Sequence, residues 1–311
     1  MAPATANIIA KMASGIADDL ISTTLLATPR PIVIAPAMNN GMWKAPATQA
    51  NMATLRDRGV HVVGPGSGYL ACGDVDTGRM SEPEDIVEAV CEVLNPVPQD
   101  LAGKRIVITA GPTHEPIDPV RFIGNRSSGK MGIALAGEAA RRGATATLVL
   151  GPTSLDVPRG VECVRVQTAA EMLQAALGAF QTADAAICAA AVADYTPAAP
   201  ADHKLKKANE RLDRIELVET VDILAELSRQ KGERCVIGFA AETDNVVEYA
   251  QRKLARKGCD AIIANDVSRA DSGFGTDTNK AWIVSAAGTQ ELPVLTKPQL
   301  ADTILDLLQN L

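Results

Sequence analysis

The sequence has few aromatic residues and few histidines. Its 311 residues include four Phe, three Tyr, two Trp and three His. This composition does not suit a sandwich of aromatic-rich strands, whereas the abundance of Ala, Val, Ile and Leu suits helices packed on a sheet. We therefore predict an α/β fold. The length is enough for two domains with separate cores.

The sequence also lacks a cysteine framework and a long apolar run. Its six cysteines lie at long, irregular spacings without a C-x-x-C pair. This pattern indicates neither a zinc site nor disulfide bridges, and it fits a reducing compartment. No apolar run reaches the roughly 18–20 residues of a membrane span, and the first residues do not form a signal-peptide pattern. We expect a soluble protein of the cytoplasm with no membrane partner.

Positive charge is not in excess either. The net charge is −7 and the basic residues are interspersed with acidic ones. Nucleic-acid and anionic-membrane binders carry a basic patch, so we do not expect a nucleic-acid partner. A small anionic ligand remains possible, because it needs only a local basic pocket.

The chain divides near residue 95. Its hydrophobic pattern predicts a helix over residues 7–27, a strand at 31–36 and helices at 45–58 and 81–94. The segment Asn95-Pro-Val-Pro-Gln-Asp then places two prolines within four residues. Prolines at this density end regular structure, so we predict domains at 1–95 and 101–311.

The second part alternates strands with helices. Strands are predicted at residues 104–110, 146–150, 184–190, 234–239, 260–265 and 281–285. Helices are predicted at residues 130–142, 168–180, 221–230, 244–257 and 297–310. Such alternation indicates a doubly wound, mainly parallel sheet, whose ligands bind at the carboxyl ends of the strands.

A long polar loop follows the first of these strands. Its end, Gly124-Asn-Arg-Ser-Ser-Gly129-Lys130, resembles a phosphate-binding P-loop, but Met131 stands where a Ser or Thr would hold magnesium. Small residues and backbone amides at a helix N-terminus still attract phosphates or carboxylates. The alternative is a glycine-rich turn that serves packing alone. The G-x-G-x-x-G pattern of dinucleotide-binding proteins is absent from this loop.

Several lysines are candidate ligands for an anion. Lys204, Lys206 and Lys207 follow a predicted strand end that carries Asp194, and Lys253 and Lys257 share one face of a predicted helix. Lysine groups of this kind are commonly solvated surface. The residues alone leave both interpretations open.

Residues 101–311 resemble the ligase half of the bifunctional phosphopantothenoylcysteine decarboxylase/phosphopantothenate–cysteine ligase family of coenzyme A synthesis. Seven motifs carry the resemblance in unbroken order: Ile108-Thr-Ala-Gly-Pro-Thr, Asp118-Pro-Val-Arg, Asn125-Arg-Ser-Ser-Gly-Lys-Met-Gly, Ala190-Ala-Val-Ala-Asp194-Tyr, Lys204-Leu-Lys-Lys, Gly238-Phe-Ala-Ala-Glu-Thr and Ala264-Asn-Asp-Val. The resemblance implies a Rossmann-like ligase domain that pairs into a homodimer.

The same resemblance implies a set of site residues and substrates. The nucleotide would be CTP, assisted by Mg²⁺, and the other substrates 4′-phosphopantothenate and L-cysteine. Asn125 would handle the acyl-nucleotide intermediate, and the loop from Arg121 to Lys130 would face phosphopantothenate. The residues implied for the nucleotide are Cys188, Ala189, Ala190, Asp194, Lys204, Val221, Asp222, Ile223, Leu224, Phe239, Lys253 and Lys257, with Lys204 also in a catalytic role. The family often has Pro-Asp-Ile where this chain has Val221-Asp-Ile.

Residues 1–95 resemble the later part of the family's FMN-dependent, flavodoxin-like decarboxylase half. The motifs are Ala2-Pro-Ala-Thr-Ala-Asn, Pro36-Ala-Met-Asn-Asn-Gly-Met-Trp and Ala71-Cys-Gly-Asp-Val-Asp-Thr-Gly-Arg-Met. Asn39 would hold the substrate carboxylate, and Cys72, on a mobile flap, would return a proton to the enethiol intermediate. The family's flavin-phosphate loop and catalytic histidine have no counterpart in these residues, so we expect a truncated domain with absent or weak decarboxylation.

The resemblance thus predicts a ligase that activates a carboxylate with CTP and joins it to cysteine. Two rivals remain at this point. One is a dinucleotide-dependent oxidoreductase on a similar sheet. The other is a flavin-binding regulatory protein, because decarboxylase relatives include inhibitory subunits.

Overall fold

The computed structural model describes residues 1–69, 75–94, 96–206, 213–269, 271–273 and 275–308. Cys72 lies outside these described residues. The chain forms two compact units, Met1–Val97 and Pro98–Leu311. No helix among the described residues has both the length and the apolar character to cross a membrane.

The first unit is a small α/β layer. Its elements are α1 (Ala6–Ser14), α2 (Leu20–Ala27), β1 (Val33–Ile34), α3 (Asn40–Lys44), α4 (Pro46–Asp57), β2 (His61–Val62), β3 (Gly66–Tyr69), β4 (Val75–Arg79) and α5 (Pro83–Leu94). Strands β1 and β2 pair in parallel, and β3 and β4 form an antiparallel hairpin. Ile9, Ile34, Met52 and Leu55 form the centre of its core.

The single helix predicted over residues 7–27 is wrong, because the chain forms α1 and α2 instead. Gly15 ends α1 in a left-handed conformation at φ 70°, which favours glycine. Asp19 then starts α2 with a capping box: its side chain accepts from Ser22 N, and the Ser22 hydroxyl accepts from Asp19 N. These two local signals outweigh the continuous apolar pattern.

The second unit is larger and contains the remaining elements. Its helices are α6 (Lys130–Arg141), α7 (Ala169–Phe180), α8 (Ile223–Arg229), α9 (Val246–Lys257) and α10 (Lys297–Leu308). Its strands are β5 (Arg105–Ala110), β6 (His114–Pro116), β7 (Phe122–Gly124), β8 (Thr145–Leu150), β9 (Glu162–Arg165), β10 (Ala185–Cys188), β11 (Tyr195–Pro197), β12 (Leu217–Glu219), β13 (Cys235–Glu242), β14 (Ala261–Asp266), β15 (Thr278–Ser285) and β16 (Gly288–Thr296).

The main sheet is doubly wound. Its order is β16-β15-β14-β13-β10-β5-β8-β9, with parallel pairing from β9 to β14 and antiparallel pairing at β15 and β16. The chain runs from β5 outward through β8 and β9, then returns to β10 and continues in the opposite direction. Ligands of such sheets bind where the winding reverses, which is here the carboxyl end of β5 and β10.

Alternation along the strands produces a core on each face of the sheet. In β5, Ile106 and Ile108 pack into the core with α6 and α10, whereas Val107 packs into the core with α7, α8 and α9. Successive strand side chains point to opposite faces, so one short apolar run supplies both layers. The mainly parallel α/β fold predicted from the sequence is confirmed.

Two small hairpins lie apart from the main sheet. Strands β6 and β7 pair antiparallel, as do β11 and β12. Strand β6 follows the carboxyl end of the central strand β5 in the chain, and strand β11 likewise follows the carboxyl end of the central strand β10. The hairpins therefore extend the same edge of the sheet that the switch point occupies.

Candidate functional site

A cavity of about 920 Å³ opens at the switch point of the second unit. It is lined by the exits of β5, β10 and β13 and by the N-terminal ends of α6 and α8. Among its lining residues are Asn125 and every residue that the resemblance implies for the nucleotide, except Lys204. Residues separated by more than 100 positions in the chain thus meet in one cavity.

The exit of β10 is held against the exit of β5 by hydrogen bonds. Ala189 N donates to Thr109 O over 3.1 Å, and Ala191 N donates to Gly111 O over 2.9 Å. The Asn125 side chain adds a third tie, because its Nδ2 donates to Val192 O over 2.9 Å. The backbone of Ala189 and Ala190 therefore has a fixed position in the cavity wall, which suits recognition of a ligand edge by main-chain groups.

The N-terminus of α6 forms a second wall. Gly129 is the N-cap residue, at φ 80°, and it provides no side-chain cap. The Ser128 hydroxyl accepts from Lys130 N over 3.5 Å, and this end of α6 borders the cavity. Gly132 lets the helix approach the sheet, because a Cβ at this position would collide with Ala110. Amides and the positive end of a helix dipole favour a phosphate or carboxylate here.

The opposite wall carries the cations of α9. Lys253 Nζ donates to Phe239 O over 2.7 Å, and Lys257 forms an ion pair with Asp222. Asp222 is also the N-cap of α8, since its Oδ1 accepts from Ala225 N over 2.9 Å. Burial lowers the pKa of the Lys253 ammonium, and the Glu242 carboxylate partly offsets this effect. A desolvated cation of this kind gains from a bound anion.

Some predicted residues are part of the structural core rather than free ligands. Ile223 and Leu224 border the cavity, but they are buried and belong to the core that also contains residues of α7 and β13. Burial raises the pKa of the Cys188 thiol to about 12, so Cys188 is neutral over the physiological pH range. These residues shape the wall, whereas Asp194, which also lines the cavity, is exposed.

Lys204 does not line the cavity. Its side chain is exposed, and the backbone beside it is fixed by Asp118 and Arg121: Leu205 N donates to Asp118 Oδ2 over 3.2 Å, and Arg121 Nη2 donates to Leu205 O over 3.0 Å. The residues on the two sides of this contact belong to the motifs Asp118-Pro-Val-Arg and Lys204-Leu-Lys-Lys. The structure thus brings these motifs together, outside the cavity lining.

The cavity also contains two cations that the sequence did not single out, Arg256 and Lys297. Two further cations, Arg126 and Lys130, belong to the loop that the resemblance assigns to phosphopantothenate. Arg256 lies three residues after Lys253, a spacing that places both on one helix face and could have identified it. Lys297 has no such local signal, because its partners come from other elements.

Acidic ligands for a metal are not grouped in the described part of the chain. No set of three or more His, Cys, Asp or Glu side chains is arranged there to hold an ion. The cavity instead combines amides with cations that outnumber its three exposed carboxylates, Asp194, Glu219 and Asp222. This donor set suits a ligand with several negative charges.

Asn39 belongs to the first unit. It is the N-cap of α3, where its Oδ1 accepts from Gly41 N over 2.8 Å. The turn before it is joined to the β3–β4 hairpin, because Met38 N donates to Gly78 O over 3.0 Å. A Cβ on Gly78 would collide with Met38 O, so the close approach requires glycine. The hairpin whose strands flank the position of Cys72 is thus anchored beside Asn39.

Comparison with known proteins matches the two parts of the chain to two different families. Residues 101–311 match the family described as DNA/pantothenate metabolism flavoprotein C-terminal domain, and residues 1–95 match the family described as Flavoprotein. A solved C-terminal domain of a coenzyme A biosynthesis bifunctional protein, 45% identical, superposes with a TM-score of 0.57 over 67% of this chain and 95% of that domain. The Streptococcus pneumoniae DNA/pantothenate metabolism flavoprotein is 22% identical, covers 67% of this chain and 99% of its own, and shares the fold at a TM-score of 0.57.

Full-length relatives are more similar still. The coenzyme A biosynthesis bifunctional protein CoaBC of Bacillus subtilis (strain 168) is 49% identical over 308 residues, which are 98% of this chain and 76% of the relative. Its counterpart in Escherichia coli (strain K12) is 48% identical over 309 residues, with the same two coverages. The chain therefore belongs to the coenzyme A biosynthesis bifunctional proteins, a family of enzymes with phosphopantothenate–cysteine ligase and phosphopantothenoylcysteine decarboxylase activities.

Proposed function

We propose that the cavity of the second unit binds CTP and 4′-phosphopantothenate and catalyses the CTP-dependent ligation of phosphopantothenate to L-cysteine. The observation that carries this proposal is the convergence of the resemblance-assigned residues, other than Lys204, on one cavity at the switch point of the sheet. A doubly wound sheet binds nucleotides at this position.

The reaction proceeds in two substitutions. The carboxylate of phosphopantothenate attacks the α-phosphorus of CTP, and pyrophosphate leaves with the electron pair of the broken P–O bond. The amine of cysteine then attacks the acyl carbon of the resulting acyl-cytidylate, losing a proton as CMP leaves with its oxygen. Both reactants of the first step are anions, so the site must supply cations and oriented amides where negative charge accumulates.

Different walls of the cavity suit different parts of the two substrates. Lys253, Arg256 and Lys257 on α9 suit the triphosphate, and the fixed backbone of Ala189 and Ala190 suits the cytosine edge. The amides at the start of α6 suit phosphopantothenate. Asn125, whose Nδ2 donates to Val192 O, would orient the acyl-cytidylate.

Magnesium would be held chiefly by the triphosphate. The described residues provide no cluster of three ligands for it, and Mg²⁺ commonly keeps phosphate and water oxygens with only one or two carboxylates. The exposed carboxylate of Asp194 is the residue we propose for such a contact. When bound, the ion supplies charge neutralisation at the phosphates.

For the first unit we propose the substrate side of the FMN-dependent decarboxylase. Asn39 would hold the substrate carboxylate, and Cys72, which lies between β3 and β4 in the sequence, would deliver a proton. The hydrogen bond between Met38 N and Gly78 O supports this pairing, since it joins the Asn39 turn to the hairpin. FMN supplies the redox chemistry when bound. No described residue of this unit is assigned to the flavin, so its binding rests on the family match alone.

A homodimer through the second unit is also proposed. Its two hairpins expose apolar side chains, among them Val120, Phe122, Leu217 and Val218. Exposed apolar groups on adjoining small hairpins suit burial against a second copy. Sedimentation of the purified chain would give the mass of a dimer, and a monomer at working concentration would contradict this assignment.

Pyrophosphate release tests the ligase directly. The purified chain should release pyrophosphate with CTP, Mg²⁺ and phosphopantothenate, and should form phosphopantothenoylcysteine once cysteine is added. We expect a preference for CTP over ATP, because hydrogen bonds to a base edge discriminate strongly when the wrong base leaves buried groups unpaired. Equal kcat/KM for the two nucleotides would refute the cytosine assignment, and absence of release with either would refute the function.

A further inference from the structure

Lys297 occupies an electrostatically unfavourable position. It is the first residue of α10 and is only 6% exposed, although it carries an ammonium group. The positive end of a helix dipole disfavours a cation at this point. Burial lowers the pKa of Lys297, and the charge of Lys130 lowers it further. A lysine in such surroundings needs specific compensation.

The compensation comes from three oxygen atoms. Lys297 Nζ donates to Thr276 O over 2.6 Å, to Asn279 Oδ1 over 2.7 Å and to Gly273 O over 3.4 Å. An ammonium group has three N–H bonds, so each has an acceptor within the protein. The group is thereby saturated, which leaves it without a hydrogen for a substrate.

A second lysine holds the same loop from its other side. We call Gly273, Gly275, Thr276 and Asp277 the glycine loop. Lys130 Nζ donates to Gly275 O over 3.0 Å and to Asp277 Oδ1 over 2.7 Å. Lys130 is the first residue of α6, so this contact attaches the glycine loop to the helix end that borders the cavity.

The glycine loop is itself part of the cavity wall. Gly273 and Gly275 line the cavity together with Asn279 and Lys297. The position of this wall relative to the amides of α6 depends on carbonyl groups that the two lysines hold. Any shift of the loop would change the width of the space at the start of α6.

We propose that Lys297 is a positioning residue for the phosphopantothenate end of the cavity. It acts through the glycine loop, which it fixes beside the N-terminus of α6, and it does not contact substrate. The inference rests on the proposed function, because that function assigns the α6 end to phosphopantothenate and the α9 end to CTP. A loss of Lys297 should therefore weaken binding of one substrate and spare the other.

Binding measurements on Lys297→Met test this split. We expect the Kd for phosphopantothenate, measured by titration calorimetry, to rise about tenfold, within the range by which such network mutations alter a site. The Kd for CTP should stay within about twofold, since the α9 wall is built from other contacts. A lysine that serves stability alone would alter both constants or neither.

Lys280→Met is the matched control. Lys280 is also largely buried and also ties elements together, with Nζ donating to Glu291 Oε1 over 2.5 Å and to Leu292 O over 2.6 Å. It does not line the cavity. This variant should lower the melting temperature and leave both dissociation constants unchanged. If the Kd for phosphopantothenate rose and the Kd for CTP stayed the same in both variants, the proposal would be overturned.

Asn279→Ala provides a second route if Lys297→Met does not fold. It removes one acceptor and keeps the lysine, so the same selective loss of phosphopantothenate affinity is expected, and the double variant should be no weaker than the stronger single one. Unchanged phosphopantothenate affinity in the folded variants would refute the proposal. Binding without turnover in the wild-type chain would instead refute the proposed ligase and leave this test intact.

Discussion

The cations of the cavity differ in whether the protein already satisfies them. Lys253 and Lys257 have partners in Phe239 O and Asp222. Arg256 lies on the same face of α9, and among the described residues its guanidinium has neither a hydrogen bond nor an ion pair. Its charge also contributes to the lowered pKa of Lys253. An incoming triphosphate would relieve this repulsion, and Arg256 is the most available of the three α9 cations that line the cavity.

Arg256→Gln should therefore weaken CTP binding. We expect about a five- to tenfold rise in Kd at low ionic strength, because a charge-assisted contact to phosphate is lost, and a smaller rise at high salt. Inorganic tripolyphosphate, which lacks the base, should lose affinity by the same factor. Titration calorimetry with both ligands measures this.

Arg252→Gln is the control, since Arg252 lies on α9 but pairs with Glu248 away from the cavity. Unchanged affinity in Arg256→Gln would remove this residue from the phosphate site.

Lys204→Met belongs in the same series: the resemblance predicts a loss of turnover on the order of 10²–10³. The exposed position of Lys204 outside the cavity lining gives that role no support from geometry.

The residue-level site was partly predictable from the sequence. The spacing of Lys253 and Lys257 placed both on one helix face, and the resemblance assigned Asn125 and Ala190 to the nucleotide chemistry. Lys297 could not be found in this way, because the oxygens that hold it come 18 to 24 residues earlier, from the glycine loop and β15. A buried cation that is held by oxygens from distant parts of the chain shows no local sequence pattern.

Among the loops and other elements, Asp118 organises the segment between β6 and β7. Its side chain is fully buried and accepts from Val120 N and Arg121 N, each over 2.8 Å, and from Leu205 N over 3.2 Å. The ion pair with Arg121, assisted by these amides, holds the pKa of Asp118 well below its usual range. One carboxylate thus closes the turn and fixes the segment that carries Lys204.

Asp118→Asn should lower stability in a pH-dependent way. The folded pKa lies below the unfolded value of about 3.9, so the stabilisation is fully present above that value and is lost as the pH falls through the folded pKa. The melting temperature of the variant should therefore lie below that of the wild type near neutral pH, and the gap should narrow below about pH 4. Melts from acidic to neutral pH, with exposed Asp156→Asn as the control, measure this; a gap that does not vary with pH would contradict the assignment.

Element prediction succeeded where periodicity and caps agreed. The bounds of α6, α7 and α9 lie within two residues of the predicted helices. Strand β16 was missed because Pro293 interrupts its pattern; the strand is at the edge of the sheet, where a residue without an N–H is tolerated. Strand β9 was missed because each of its residues is exposed, so it shows no apolar alternation.

At the scale of the second unit, one arginine connects three distant parts of the chain. Arg142, which follows α6, is only 3% exposed. It donates to Asp100 through Nε and Nη2, over 3.0 and 2.5 Å, and forms ion pairs with Asp302 and Asp306 of α10 over 2.9 and 2.8 Å. The start of the unit, the end of α6 and the last helix therefore share one buried charge. No sequence pattern predicted this cluster, because its three acidic residues lie 42, 160 and 164 residues away from Arg142 in the chain.

Arg142→Met should destabilise the second unit without altering the cavity. Removing the cation takes one ion-pair partner from each of three neighbouring carboxylates, and breaking such a buried ion pair typically costs about 3–5 kcal/mol. We expect about 2–3 kcal/mol here, since the carboxylates are partly exposed and water can solvate them. Urea unfolding in a Trp43→Phe background follows the second unit alone, because Trp282 is then the one remaining tryptophan. Arg252→Met, which breaks an exposed pair, should show no measurable loss. A loss in Arg142→Met no larger than in this control would mean that packing of α6 and α10, with their apolar residues Leu135, Ala139, Leu300 and Ile304, holds the unit together without the buried charge.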